Sequence, residues 1–147
     1  MLKILQNLID QLAQEDQTTV SQPMLEQVTA ALMIQLAKVD QQIAIEELRI
    51  IRRFISTTFN IVEADLDELM KTAEVQADQS ISLYEFTSLI HQRLSSEQKY
   101  EIVLNLWRIA YADGHLDKYE EHFIRRAAEL IYVPHTEFMR AKHEAKF

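Results

Sequence analysis

The chain has 147 residues, 48% hydrophobic and 26% charged, which fits one globular domain and excludes a disordered chain. It has one glycine, two prolines and no cysteine, which argues against turn-rich β folds and glycine-rich phosphate loops and excludes disulfides, thiolate zinc sites and thiol catalysis. Fifteen Lys and Arg stand against 23 Asp and Glu, a net charge of −8, so duplex nucleic acid and anionic membranes are poor partners.

The predicted elements are all helices. Leu2, Leu5, Leu8, Ile9 and Leu12 recur at helical spacing and predict a short amphipathic first helix. Its expected role is to pack on the bundle, with docking of a partner or a second copy as the alternative. The polar, Thr-rich stretch Glu15–Gln22 reads as a loop. Pro23 opens a second helix, with Leu25, Val28, Leu32, Leu36 and Val39 on one inward face. A third runs from about Ala44 to Thr58, turning Leu48, Ile51, Phe54 and Ile55 inward. A fourth follows Asn60 and carries Leu66, Leu69, Met70 and Ala73. Ser82 with Glu85 forms a capping-box pair that opens a fifth. A sixth spans Ser96 to about Ala112, with Ile102, Leu106, Ile109 and Ala110 inward. Gly114 breaks the chain as a helix C′ residue with positive φ. Asp117 with Glu120 caps the next helix, and Pro134 starts the last.

No run approaches the roughly 18 apolar residues of a membrane span. The apolar pattern of Met1–Glu15 is interrupted by Gln6, Asn7, Asp10 and Gln11, unlike a secretory signal. The expected location is the cytoplasm.

The chain repeats itself. Shifted by 73 residues, Leu36–Ile55 lies over Ile109–Ala128. Ala37 matches Ala110, Asp40 matches Asp113 and Glu47 matches Glu120. Ile51-Arg52-Arg53 matches Ile124-Arg125-Arg126. Six identities fall in that stretch where chance gives about one or two, so the repeat is read as real. The expected architecture is an all-α compact bundle of about seven or eight helices with two pseudo-symmetric helix–acidic turn–helix repeats. Its expected organisation is a single domain over residues 1–147. Residues 1–22 form an N-terminal helix and loop, repeat one spans about 24–73, and repeat two spans about 96–145.

The acidic turn Asp113-Gly114-His115-Leu116-Asp117-Lys118-Tyr119-Glu120 is the most informative stretch. Asp113, Asp117 and Glu120 surround the only glycine, and Leu116 is expected to point into the core. Several carboxylate oxygens on a tight turn suit hard cations such as Ca²⁺ or Mg²⁺. His115 or His122 would add nitrogen and shift the preference toward Zn²⁺. Helix capping accounts for the same residues without an ion, with Asp117 as N-cap and Glu120 at N3. The turn is no EF-hand, because Ile109 and Tyr111 would occupy the first and third ligand positions. The look-alike at Glu74–Phe86 fails as well, with Gln79 in the glycine position. The five histidines, at 91, 115, 122, 135 and 143, show no zinc-protease spacing. Arg52-Arg53 and Arg125-Arg126 are read as either partners of the acidic turns or a solvated helix face. Trp107 is assigned to the core.

The stretch Leu106–Asp117, followed by Tyr119-Glu120-Glu121-His122, resembles the TerB-like family, that of tellurite-resistance protein B and its bacterial relatives. The likeness runs from about Met24 to Ala145. It implies an all-α fold with internal pseudo-symmetry and an acidic cluster acting as a divalent metal site. Residue by residue, that cluster falls on Asp113, Asp117 and Glu120, with Asp40 and Glu47 in the first copy. The first copy departs from the motif, with Gln41 in place of the glycine and Ala44 in place of the second Asp. Two functions follow. One is a non-enzymatic, metal-responsive protein of bacterial stress handling. The other is a metal-free helical module that binds a protein partner and uses its acidic turns as caps. A metal-dependent hydrolase is the least favoured class, since nothing in the sequence points to a substrate.

Overall fold

The computed structural model describes residues 22–39, 43–79, 83–112 and 114–146. Among them are seven helices and no strand: α1 (Gln22–Ala37), α2 (Ile45–Phe59), α3 (Glu63–Asp78), α4 (Leu83–Arg93), α5 (Ser96–Ala110), α6 (Lys118–Leu130) and α7 (His135–Ala145). The expected all-α bundle is what the chain forms. The helix expected over Leu2–Leu12 lies outside the described residues, as do Ser82 of the expected capping box and the turn positions Asp40 and Asp113.

Two helices carry the core. In α1, Val28, Thr29, Ala30, Ala31, Leu32, Met33 and Ile34 are seven consecutive buried residues. In α5, the run Ile102–Trp107 is likewise buried throughout. A helix buried at consecutive positions is covered on every side, so the single inward face expected for α1 is corrected here. α1 packs against α2, α3, α4, α5 and α6, and α5 against α1, α2, α6 and α7. Such helices tolerate a polar side chain only where it is satisfied locally. Thr29 Oγ1 donates to the Leu25 carbonyl at 2.8 Å, and the Asn105 amide donates to the Glu101 carbonyl at 2.8 Å. Trp107 is fully buried, as expected, with its ring 5.2 Å from that of Phe138.

The outer helices are amphipathic and bury one stripe each. α2 turns in Ile51, Phe54 and Ile55, and α6 turns in Ile124, Ala127 and Ala128. The repeat offset recurs in the boundaries. α1 ends at Ala37 and α5 at Ala110, while α2 begins at Ile45 and α6 at Lys118.

Helix ends follow local chemistry. At α5 a capping box forms that the sequence reading passed over: Gln98 N–H donates to Ser95 Oγ at 3.2 Å, and Ser95 N–H donates to Gln98 Oε1 at 2.9 Å. Asn60 and Tyr132 end α2 and α6 in the left-handed region, with φ of 55° and 62°. Val133 N–H donates to the Ala128 carbonyl and Ile61 N–H to the Ser56 carbonyl, six-residue closures of the Schellman type. α5 stops at Ala110, two residues before the expected end, and α1 starts at Gln22, inside the expected loop. Gly114 has the expected positive φ, 84°, but stands three residues beyond the C-cap Tyr111 instead of at C′. Its N–H donates to the Tyr111 carbonyl at 2.9 Å, so it shapes the turn after the helix has ended.

Candidate functional site at the two acidic helix starts

Both acidic turns lead into a helix whose third residue is a glutamate: Glu47 in α2 and Glu120 in α6. Both glutamates are buried, at 6% and 5% exposure. A carboxylate at that depth needs hydrogen-bond donors or a positive field. The first turn of a helix supplies both, through its free N–H groups and the positive end of its dipole.

At α2 the N-cap is Ala44, with the extended backbone of a capping residue, φ −76° and ψ 153°. Its side chain has no acceptor to offer, so this helix start lacks half of a capping box. The other half is present: Ala44 N–H donates to Glu47 Oε1 at 2.7 Å. At α6 the N-cap is Asp117, φ −80° and ψ 139°, and Tyr119 N–H donates to its Oδ1 at 2.6 Å. Asp117 is thus the N-cap that the sequence predicted. The side chain of Glu120 is engaged as well. Leu116 packs against the core, as expected of the plug between the two carboxylates.

Of the five candidate ligands, Asp117 and Glu120 share one helix start, and Glu47 heads another. α2 and α6 make no extensive contact with each other. Asp40 and Asp113 lie outside the described residues. Among the described residues no three His, Asp or Glu side chains gather into a metal-holding group. The donor chemistry is all oxygen, which suits Ca²⁺ or Mg²⁺. One oxygen each of Asp117 and Glu47 is committed to a backbone N–H, so the described residues alone do not complete a coordination shell.

Among the described residues, Arg52, Arg125 and Arg126 have partners away from the acidic turns. Arg52 binds Asp67 at 2.7 Å and approaches Glu63 at 3.7 Å, both on α3. Arg125 lies over the Phe138 ring at 5.0 Å, and Arg126 pairs with Glu129 of its own helix at 3.5 Å. The five histidines are exposed. His91 packs tilted against Tyr132 with ring centroids 4.3 Å apart, and its Nδ1 sits 2.7 Å from Lys99 Nζ.

Sequence reasoning missed that Arg49, Arg53 and Arg108 line one groove. Arg49 and Arg53 were legible as an i, i+4 pair, but Arg108 joins them only through the packing of α5 on α2.

Residues 26–143, from the first turn of α1 to the last turn of α7, match the family model described as tellurite resistance protein TerB. No curated protein and no solved structure matches the chain.

Proposed function

The chain belongs to the TerB family, and on that footing we propose that it is a non-enzymatic helical module that binds a protein partner, with its acidic helix starts serving as caps. Its setting would be the cytoplasm, in a stress response of the kind suggested by the tellurite resistance that the family's description names. The observation that supports this reading is the commitment of the acidic side chains to backbone. Asp117 Oδ1 holds Tyr119 N–H at 2.6 Å, and Glu47 Oε1 holds Ala44 N–H at 2.7 Å.

A second reading has its own support in the burial of Glu47 and Glu120. Buried carboxylates in an acidic chain are the groups a divalent cation would neutralise. Asp113, Asp117 and Glu120 would hold it, with Asp40 and Glu47 from the first copy. The ion would supply a fixed positive charge that pins the turn.

Thermal melts of chelator-stripped protein, with and without Ca²⁺, Mg²⁺, Mn²⁺ or Zn²⁺, separate the two. The capping reading expects no ion-dependent change in wild type or in Asp113→Ala. A cation site expects about 2.7 kcal/mol of added stability at a hundredfold excess over Kd, absent from the variant. Hydrolytic turnover that Asp113→Ala abolishes would overturn the non-enzymatic assignment.

A further inference from the structure

The charge of this protein is unevenly used. Five basic side chains pair with acids: Lys38 with Asp78, Arg52 with Asp67, Arg126 with Glu129, Arg140 with Glu137 and Lys142 with Glu121. Arg49, Arg53 and Arg108 are different. All three are exposed, and none has an ion pair among the described residues. They line a single groove of about 520 Å³ between α2 and α5, whose apolar side is formed by Ile50 and Phe54. One acid, Glu101, lines the same groove. Three arginines against one glutamate make it locally cationic in a chain of net charge −8.

Folding does not call for that arrangement. Arg49 and Arg53 are like charges at i, i+4, a spacing that weakens a helix slightly. The packing of α5 on α2 then adds Arg108 to the same groove. Guanidinium groups without a carboxylate partner, beside apolar surface, suit a ligand that brings carboxylates and an apolar anchor together.

The groove also continues. Thr58 and Glu101 line a second trough of about 780 Å³, which runs past the start of α5 to the exposed Tyr132; there Glu97 and Glu137 offset Lys99 and Arg140, so the cationic part of the groove is the arginine end. Along α5 the two span residues 96–108, about 18 Å at the helical rise. That length accommodates roughly a dozen helical residues of a partner. Nucleic acid is a poor occupant, because the net charge repels a long polyanion while the patch acts only over about one Debye length.

We propose that the α2–α5 groove, with Arg49, Arg53 and Arg108 at one end, docks an acidic amphipathic segment of a partner protein. Its acids would face the arginines, and its apolar side would cover the half-buried Ile50. The proposal rests on the reading of this chain as an interaction module and names the chemistry of the partner.

The test uses the full chain and a fluorescein-labelled amphipathic peptide of 14 residues, with Glu on the polar face and Leu and Phe on the other. Anisotropy compares it with the same peptide carrying Gln in place of Glu. The Glu peptide should bind at least tenfold tighter. Arg49→Gln/Arg53→Gln, which keeps most of each side chain and should leave the melt unchanged, should erase that preference, as should 0.5 M salt. Equal affinity for the two peptides, no binding up to 1 mM, or a preference intact in the double variant would overturn the proposal. Binding of pyrophosphate by this groove, without binding of the Glu peptide, would also overturn it and mark a small-anion site. These outcomes are independent of the ion-dependent melts, so loss of the groove and loss of the capping reading can be told apart.

Discussion

Capping at the two equivalent helix starts predicts one loss and one gain of stability. Asp117 is the N-cap of α6, and its Oδ1 accepts from Tyr119 N–H at 2.6 Å. Asp117→Ala removes that acceptor and costs about 1 kcal/mol. It also removes a negative charge from the positive end of the helix, worth roughly 0.3–1 kcal/mol more. Asp117→Asn keeps an acceptor and loses the charge, so it should forfeit only the second amount. Ala44 holds the corresponding position at α2 with capping backbone angles, and Glu47 already covers its N–H. Ala44→Ser completes the box and should add about 1 kcal/mol, because the backbone need not move to use the new hydroxyl. For 147 residues the unfolding entropy near 60 °C is about 0.31 kcal/mol/K, so 1 kcal/mol moves Tm by roughly 3 °C. Calorimetry of the three variants in chelator should give Ala44→Ser above wild type and Asp117→Ala below Asp117→Asn. A destabilising Ala44→Ser, or an Asp117→Ala indistinguishable from wild type, would refute the reasoning.

Three further outcomes are expected. Tyr132 sits at φ 62° and is 72% exposed, so Tyr132→Gly should raise stability by roughly 0.5–1 kcal/mol in urea unfolding despite the lost contact with His91; a fall of similar size would show that the ring contact outweighs the backbone. Gln76 is fully buried, and its amide N and O have no hydrogen-bond partner among the described residues. Gln76→Met, nearly equal in volume, should therefore stabilise by about 1–3 kcal/mol, and a loss of stability would mean that a buried water satisfies the amide. Burial pushes the Tyr100 phenol above the ordinary tyrosine value, and its hydrogen bond to Glu144 at 2.9 Å pushes it the same way. A raised folded pKa gives stability that is complete below about pH 10 and is lost as pH rises through the folded value. Tyr100→Phe should flatten that alkaline decline in denaturant titrations at pH 9 to 11, and an unchanged decline would place its origin elsewhere.

Much of the fold is legible in the residues alone, since helical periodicity is a local property. Pro23 near the start of α1, Asn60 after α2, Asp117 before α6 and Pro134 before α7 mark helix ends by their own backbone and side-chain preferences. The resemblance carried by Leu106–His122 rests on equally local residues, and the family match bears it out. Asp117 as a cap needed only its place before the helix.

Tertiary structure decided what depends on distant parts of the chain. The spacing of Leu25, Val28 and Leu32 predicts one inward face, yet α1 is buried all round because five other helices cover it. Thr29, Ala30 and Ala31 carry no periodic signal, and small residues are what allow neighbours to approach that closely. For Arg52 the sequence leaves open an acidic turn or a solvated helix face, and the packing of α3 beside α2 gives it Asp67. Arg108 lies 55 positions from Arg53 and meets it at one groove only because α5 crosses α2. Local preference sets where each helix starts and stops; which charges share a surface is set by packing, through contacts that no short window of sequence contains.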